Sequence, residues 1–295
     1  MGSEWEGKSK GSVFGYRIFV FLIKTFGVSA AYSLLFFVVF YYCVFAPSNT
    51  KSIYYYFRRR LQYGKFKSAI HVYKSYFTFG QTIIDKVAIS SGLGNSFEYH
   101  FDGREYISDT YNQGKGAVLI SAHVGNFEIS EYFFAELDSE VNVSLLVSNS
   151  EHQEIQDYLE KYTRNSRTNF IVLKEDFSHV FEINAALARN EIVCITGDRY
   201  VQNSKYMEEA LFGAPARFPA GPYQLASRLK VPVLFVYVMK GEKKAYNLYA
   251  RDAEVKHRDA QGLLKQYTQS LEWILRMYPK QWFNYFDFWN TNIKQ

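Results

Sequence analysis

His123 and Glu128 stand five positions apart in "LISAHVGNFEIS", Leu119 to Ser130, at the end of an apolar run. An imidazole and a carboxylate suffice for general base chemistry if they can be brought together. On one continuous helix five residues turn through about 500°, which leaves the two side chains about 140° apart and unable to meet. They meet if His123 ends a strand and Glu128 lies in the first turn of a helix, with Gly125 and Asn126 supplying the turn and its cap. Glu128 then accepts a proton from one ring nitrogen, and the other nitrogen takes one from a hydroxyl. As a bare pattern, His-x4-Glu reads more often as polarity at a helix start, so the surrounding elements decide its meaning.

Those elements alternate. "GKGAVLISAH" is a glycine-led apolar run of strand type, and "GNFEISEYFFAEL" is helical. Further strands are expected at Val143–Val147, Phe170–Leu173, Ile192–Thr196, Val233–Met239 and Tyr246–Ala250, with "FEYHFDG", Phe97 to Gly103, as one strand of a hairpin. Helices fit 68–90, Glu151–Arg164, Phe177–Ala188, Pro222–Lys230 and Gln261–Tyr278. Strands alternating with helices predict an α/β sheet whose chemistry sits at the carboxyl ends of its strands.

The amino-terminal part is different. Between Lys24 and Lys51 no residue is charged, and Val28 to Ala46 is a predominantly apolar stretch long enough for about 28 Å of helix. Ser12 to Gly27 carries Arg17 and Lys24 on one side of an apolar helix, as a segment lying in a membrane interface does. The stretch begins late and lacks a cleavage site, so it reads as a retained anchor. Residues 1–80 hold eleven basic side chains against Glu4 and Glu6, a balance of +9 in a chain whose total is +5, so the remainder is −4. "KSIYYYFRRR" and "YGKFK" suit a headgroup layer with anionic lipid. Basic residues flank both sides of the apolar stretch; the denser Arg58–Lys67 side places the main domain in the cytoplasm. The division expected is an anchor over residues 1–50 and a catalytic domain over 51–295. The 25 Tyr and 26 Phe of this chain suit a broad apolar surface. Nucleic acid as a partner is set aside, because no recognition motif accompanies the arginines.

Taken together, the anchor, "GAVLISAHVGNFE", "ARNEIVCITGDRY", "LFGAPARFPAGPYQLASRLKVPVLFVYV" and "PKQWFNYFDFW" resemble the lysophospholipid acyltransferase superfamily. Within it they are similar to the lipid A biosynthesis branch that acylates Kdo2-lipid IVA. The resemblance implies a mixed, largely parallel sheet flanked by helices, of glycerol-3-phosphate acyltransferase type. It also implies transfer of a fatty acyl chain from an acyl carrier protein thioester, or coenzyme A, to a hydroxyl or amine of a membrane lipid at the bacterial inner membrane. His123 is then the base and Glu128 its partner. The sequence departs from the branch in having Arg199 after Asp198, where glutamine is common, and an ending without a basic, histidine-containing block. The departures spare the catalytic step and leave the acceptor open, with an aryl polyene or flexirubin-type lipid pathway as the alternative.

The remaining candidates surround that pair. Asn126, Asp198, Arg199 and Arg217 are the residues expected to contact substrate. Asp198 and Arg199 follow an apolar strand, and Arg199 suits a phosphate or the fixing of a loop. Arg217 precedes a proline-started helix whose amino terminus suits an anion or the thioester carbonyl. Trp282, Phe283, Tyr285, Phe286, Phe288 and Trp289 read equally as an acyl-channel floor and as core. Cys43 and Cys194 read as reduced thiols, the other histidines lack metal-type spacing, and no cofactor or metal is expected. A serine hydrolase is disfavoured because Gly-x-Ser-x-Gly is absent and Ser121 has no second histidine. A lipid-binding scaffold without catalysis is the third class.

Overall fold

The structure, a computed structural model, describes residues 21–130, 133, 141–147, 168–174, 176, 178–200 and 204–289. Of Glu128 and Thr168 only the backbone is described. The uncharged run folds as helix α1, Val28–Phe45, and among the described residues it is the one helix long and apolar enough to cross a membrane. Pro47 opens α2, Pro47–Tyr55, as suits a residue with no N–H to satisfy in a first turn. This helix widens into a π-helical turn, Tyr56–Arg60, and the chain continues into α3, Lys65–Ala88.

Helix α1 is two-faced in its packing although not in its composition. Val28, Ala31, Leu35 and Val39, three and four residues apart, are buried against α3. The approach is close at Gly80, where an added Cβ would lie 2.3 Å from a Leu35 methyl. The other face leaves Phe37 70%, Phe40 67% and Phe45 68% exposed. The same hydrophobic cluster continues from α1 through α3 into the sheet.

Seven strands form that sheet in the order β1-β9-β8-β2-β5-β3-β4. They are β1 Glu98–Asp102, β2 Ala117–Ser121, β3 Val143–Val147, β4 Thr168–Val172, β5 Ile192–Thr196, β8 Val233–Lys240 and β9 Ala245–Asp252. Every neighbouring pair is parallel except β8 with β9. The central strands "AVLIS" and "VLFVYVMK" are buried at every position, the signature of strands covered on both faces. Helices α4 Arg104–Tyr111, α5 His179–Ala188, α6 Ala220–Ala226 and α7 Ala260–Met277 complete the α/β architecture, and the sheet is mixed and largely parallel as expected.

Three expectations are corrected. "FEYHFDG" is not half of a hairpin: the chain enters α4 at Arg104 directly after β1, which instead pairs in parallel with the distant β9 at the sheet edge. The helix expected over Pro222–Lys230 is the shorter, earlier α6, because Pro219 already fixes the backbone at its start. "YMEEALFGAPARFP" forms an antiparallel hairpin of β6, Tyr206–Leu211, and β7, Ala214–Pro219, that was not foreseen. The helix expected at Glu151–Arg164, most of the one after Gly125, and the start of the interfacial segment lie outside the described residues.

Candidate active site

Register brings His123 and Asp198 together. Strands β2 and β5 are parallel with Ser121 opposite Thr196, so the residues two beyond each, His123 and Asp198, leave the sheet side by side. His123 Nδ1 lies 2.7 Å from Asp198 Oδ1, and the His123 backbone N–H donates to both carboxylate oxygens at 3.1 Å. Asn284 Nδ2 donates to Asp198 Oδ2 at 2.8 Å and Trp282 Nε1 at 3.3 Å. Asp198 is wholly buried and carries no exposed surface.

A buried carboxylate with this many donors is the charged form made stable. Burial, the largest single influence, pushes the carboxyl up; it is outweighed by the His123 charge and hydrogen bond, by Arg199 and by the His123 N–H, which together hold it well below the usual carboxylate range. Asp198 is therefore ionised and can only accept. Nδ1 of His123 must carry the hydrogen it shares, and the ring's basic lone pair is on Nε2.

The turn after His123 is held from three directions. Phe283 N–H donates to the His123 carbonyl at 2.9 Å, Gly125 N–H to the Gln281 carbonyl at 3.0 Å, and Asn126 N–H to the Val238 carbonyl at 2.7 Å. Gly125 has φ +55°, and a Cβ there would fall 2.0 Å from the Val238 oxygen, so only glycine fits. Two buried tyrosines fix the strand ends: Tyr267 donates to the Ser121 carbonyl at 3.0 Å and Tyr223 to the Gly197 carbonyl at 2.7 Å.

Beyond the turn, Asn126 joins a buried polar chain. It does not cap the following turn; its Nδ2 donates to the Thr82 carbonyl at 3.1 Å and to Tyr246 Oη at 3.3 Å, because the side chain points into the core. Tyr246 donates to Asp85 at 2.6 Å, and Asp85 pairs with Lys240 Nζ at 2.6 Å, both ends buried. Tyr32 of α1 donates to the same carboxylate. The apolar helix, α3, β8, β9 and the turn after His123 thus share one hydrogen-bonded network.

The other expected site residues are distributed as follows. The backbone of Glu128 lies in a 3₁₀ turn, Phe127–Ile129, beyond the strand end, and the partner seen at His123 Nδ1 is Asp198. Arg199 donates from Nε to Asn284 Oδ1 at 2.6 Å and from Nη2 to the Phe283 carbonyl at 2.8 Å, tying the closing segment to β5. Arg217 lies in β7, three residues before α6 begins at Ala220 as expected; its Nε meets Glu208 at 3.1 Å across the hairpin and its guanidinium covers the Tyr206 ring. Ser121 Oγ is buried at a strand end with no hydrogen-bond partner among the described residues, so it is not presented as a nucleophile. Trp282 and Phe288 belong to the core, and Phe283 packs on Phe79 of α3. Among the described residues no group of three or more His, Cys, Asp or Glu side chains gathers as a metal site.

Sequence reading missed Gln281 and Asn284 as supports of this site. A polar residue inside "KQWFNYF" at this spacing is visible, but nothing local says which carboxylate it meets. Comparison with known proteins returns no matching curated protein. The family model for bacterial lipid A biosynthesis acyltransferases matches residues 72–291, which includes α3 from its first buried valine, the entire sheet and the closing segment. With the histidine at the strand end and the fold that carries it, this match over most of the chain makes the protein a member of the bacterial lipid A biosynthesis acyltransferase family, an acyltransferase acting on lipid.

Proposed function

We propose that the protein moves a fatty acyl chain from an acyl carrier protein thioester to a hydroxyl, or amine, of a lipid A precursor-like acceptor, with His123 as general base. The observation that carries the reading is the Nδ1 contact to buried, ionised Asp198, which commits one ring nitrogen and directs basicity to Nε2. Nε2 takes the proton of the acceptor O–H as its oxygen attacks the thioester carbonyl. The C–O bond forms, the C–S bond breaks, and the proton passes to the leaving thiolate. Asp198 is the positioning carboxylate in this scheme, stabilising the imidazolium that forms. Glu128, five residues on in the sequence, serves the same step in this scheme, as the family resemblance implies.

Arg199 holds Asn284 and the Phe283 carbonyl against Asp198, and its charge adds to the field at the oxyanion. Asn126 fixes the turn's geometry through Thr82 and Tyr246, and Arg217 lies on the hairpin as a cation for a phosphate of donor or acceptor. The amino-terminal segment anchors the enzyme to the inner membrane with residues 51–295 on the cytoplasmic side. Support for membrane contact is the apolar α1 with its exposed ring face.

The test uses purified wild type and His123→Ala with radiolabelled acyl carrier protein and a total lipid extract from the source cell. A labelled lipid made by wild type alone identifies the acceptor class. Label released only as free fatty acid assigns a thioesterase, and equal products from both proteins remove His123 from the chemistry.

A further inference from the structure

Helices α1, α2 and α3 enclose an open groove of about 550 Å³, within the range of about 300–1,000 Å³ typical of ligand pockets. Its walls are Phe40 and Cys43 from the last turns of α1, Tyr54 from α2, and Ala69, Val72 and Tyr73 from α3. Lys51, Arg58 and Arg59 also line it, and no carboxylate of the described residues does. Two of the cations, Lys51 and Arg58, share a side with Tyr55 between them, at spacings of four and three along the helix and its π-helical extension. Arg58 is steadied by its Nη1 donating to the Tyr63 carbonyl at 3.3 Å.

We infer that this groove is a binding site for one anionic glycerophospholipid of the bilayer, an acyl chain lying between α1 and α3 and the phosphate on Lys51, Arg58 and Arg59. Two features select that occupant. Phe40 is at once a wall of the groove and part of the exposed ring face of α1, so the groove opens on the surface that meets lipid. The cations line the same open groove, and guanidinium groups grip phosphate through paired donors. The site is separate from the chemistry: its α3 residues lie nine to thirteen positions before Thr82, which touches Asn126, or about 14–20 Å along the helix. The inference goes beyond acyl transfer and does not depend on the reaction.

Delipidated full-length protein in detergent is mixed with phosphatidylglycerol or phosphatidylcholine and weighed by native mass spectrometry. One phosphatidylglycerol per chain is expected to remain bound, with phosphatidylcholine far weaker. Ala69→Trp fills the groove from an exposed helical position without altering charge and is expected to weaken the adduct by about tenfold or more, the value of two buried methylenes. Arg58→Gln with Arg59→Gln is expected to weaken it by about 30-fold. Both variants are checked for an unchanged Tm. An adduct untouched by Ala69→Trp, or equal binding of phosphatidylcholine, overturns the proposal. So does a severalfold gain on deleting residues 2–20, which would mean that the chain's own amino terminus fills the groove.

Discussion

The turn at His123 and the helix α1 are both built among aromatic side chains, yet they treat polarity in opposite ways. At the turn, the described backbone N–H groups from His123 to Asn126 have partners at 2.7–3.1 Å, and the one carboxylate is wrapped by indole, amide and imidazole donors. On α1, Phe37, Phe40 and Phe45 are two-thirds or more exposed, and Tyr32 carries the helix's polar tie to Asp85 of α3. The difference teaches what each region is for. A buried charge has to be held in one geometry to be tolerated, which gives a catalytic group its orientation; an exposed apolar face tolerates many geometries and suits a fluid partner.

The largest expected effect breaks the first region. Asp198→Asn keeps the shape but removes the charge that fixes the tautomer, and acyl transfer should fall on the order of 10³-fold in kcat. Vesicle binding should stay at the wild-type level, and a kcat loss below about tenfold would demote Asp198 to packing. Gly125→Ala should cost on the order of 10²-fold, because the Val238 carbonyl must move and carry the turn with it. A crystal structure of that variant with an unmoved His123 would break the account.

Next comes the link between the regions. Lys240→Met leaves Asp85 buried without its cation and should destabilise the protein by about 3–5 kcal/mol, read by denaturant unfolding. Adding Asp85→Leu should return part of that loss, since the double variant has no unpaired charge. Smaller again is the effect on α1: Phe37→Ser with Phe45→Ser should reduce partition into vesicles by at least about tenfold and leave Tm within a few degrees, because both rings are already exposed. A large fall in Tm would mean that the rings pack against protein.

The smallest effect is on acid stability. Asp198 is held below its unfolded value, so it binds its proton less readily when folded. Its stabilisation is complete above about pH 4 and is lost as pH falls through the native value. Between pH 5 and 8 unfolding of wild type should show no step that Asp198→Asn removes, and any activity lost on mild acidification comes from another group.

Much of this was legible because it is local. β3 and β5 run at the bounds their apolar patterns predict, and α1 ends within a residue of the uncharged stretch. His123 at a strand end followed by a glycine turn needed no partner to be read. The β6–β7 hairpin escaped because Pro215, Pro219 and Gly213 interrupt its alternation, and prolines mark turns more often than strands. The edge strand β1 was misassigned because its partner lies nearly 150 residues away, beyond the reach of a turn signal.

The sequence by itself determined the alternation of buried strands and helices, the uncharged amino-terminal helix with its basic flank, and the histidine with its glycine turn. Each depends on residues within one or two helical turns of one another, where side-chain period and backbone freedom decide. Only the tertiary structure decided that Asp198 meets His123 Nδ1, that Asn126 faces inward to Tyr246, and that Arg199 ties down the closing segment. Those contacts join residues 75 to 120 positions apart, beyond the reach of local pattern, and the first exists because parallel strand register aligns Ser121 with Thr196 and so brings their loops to one rim.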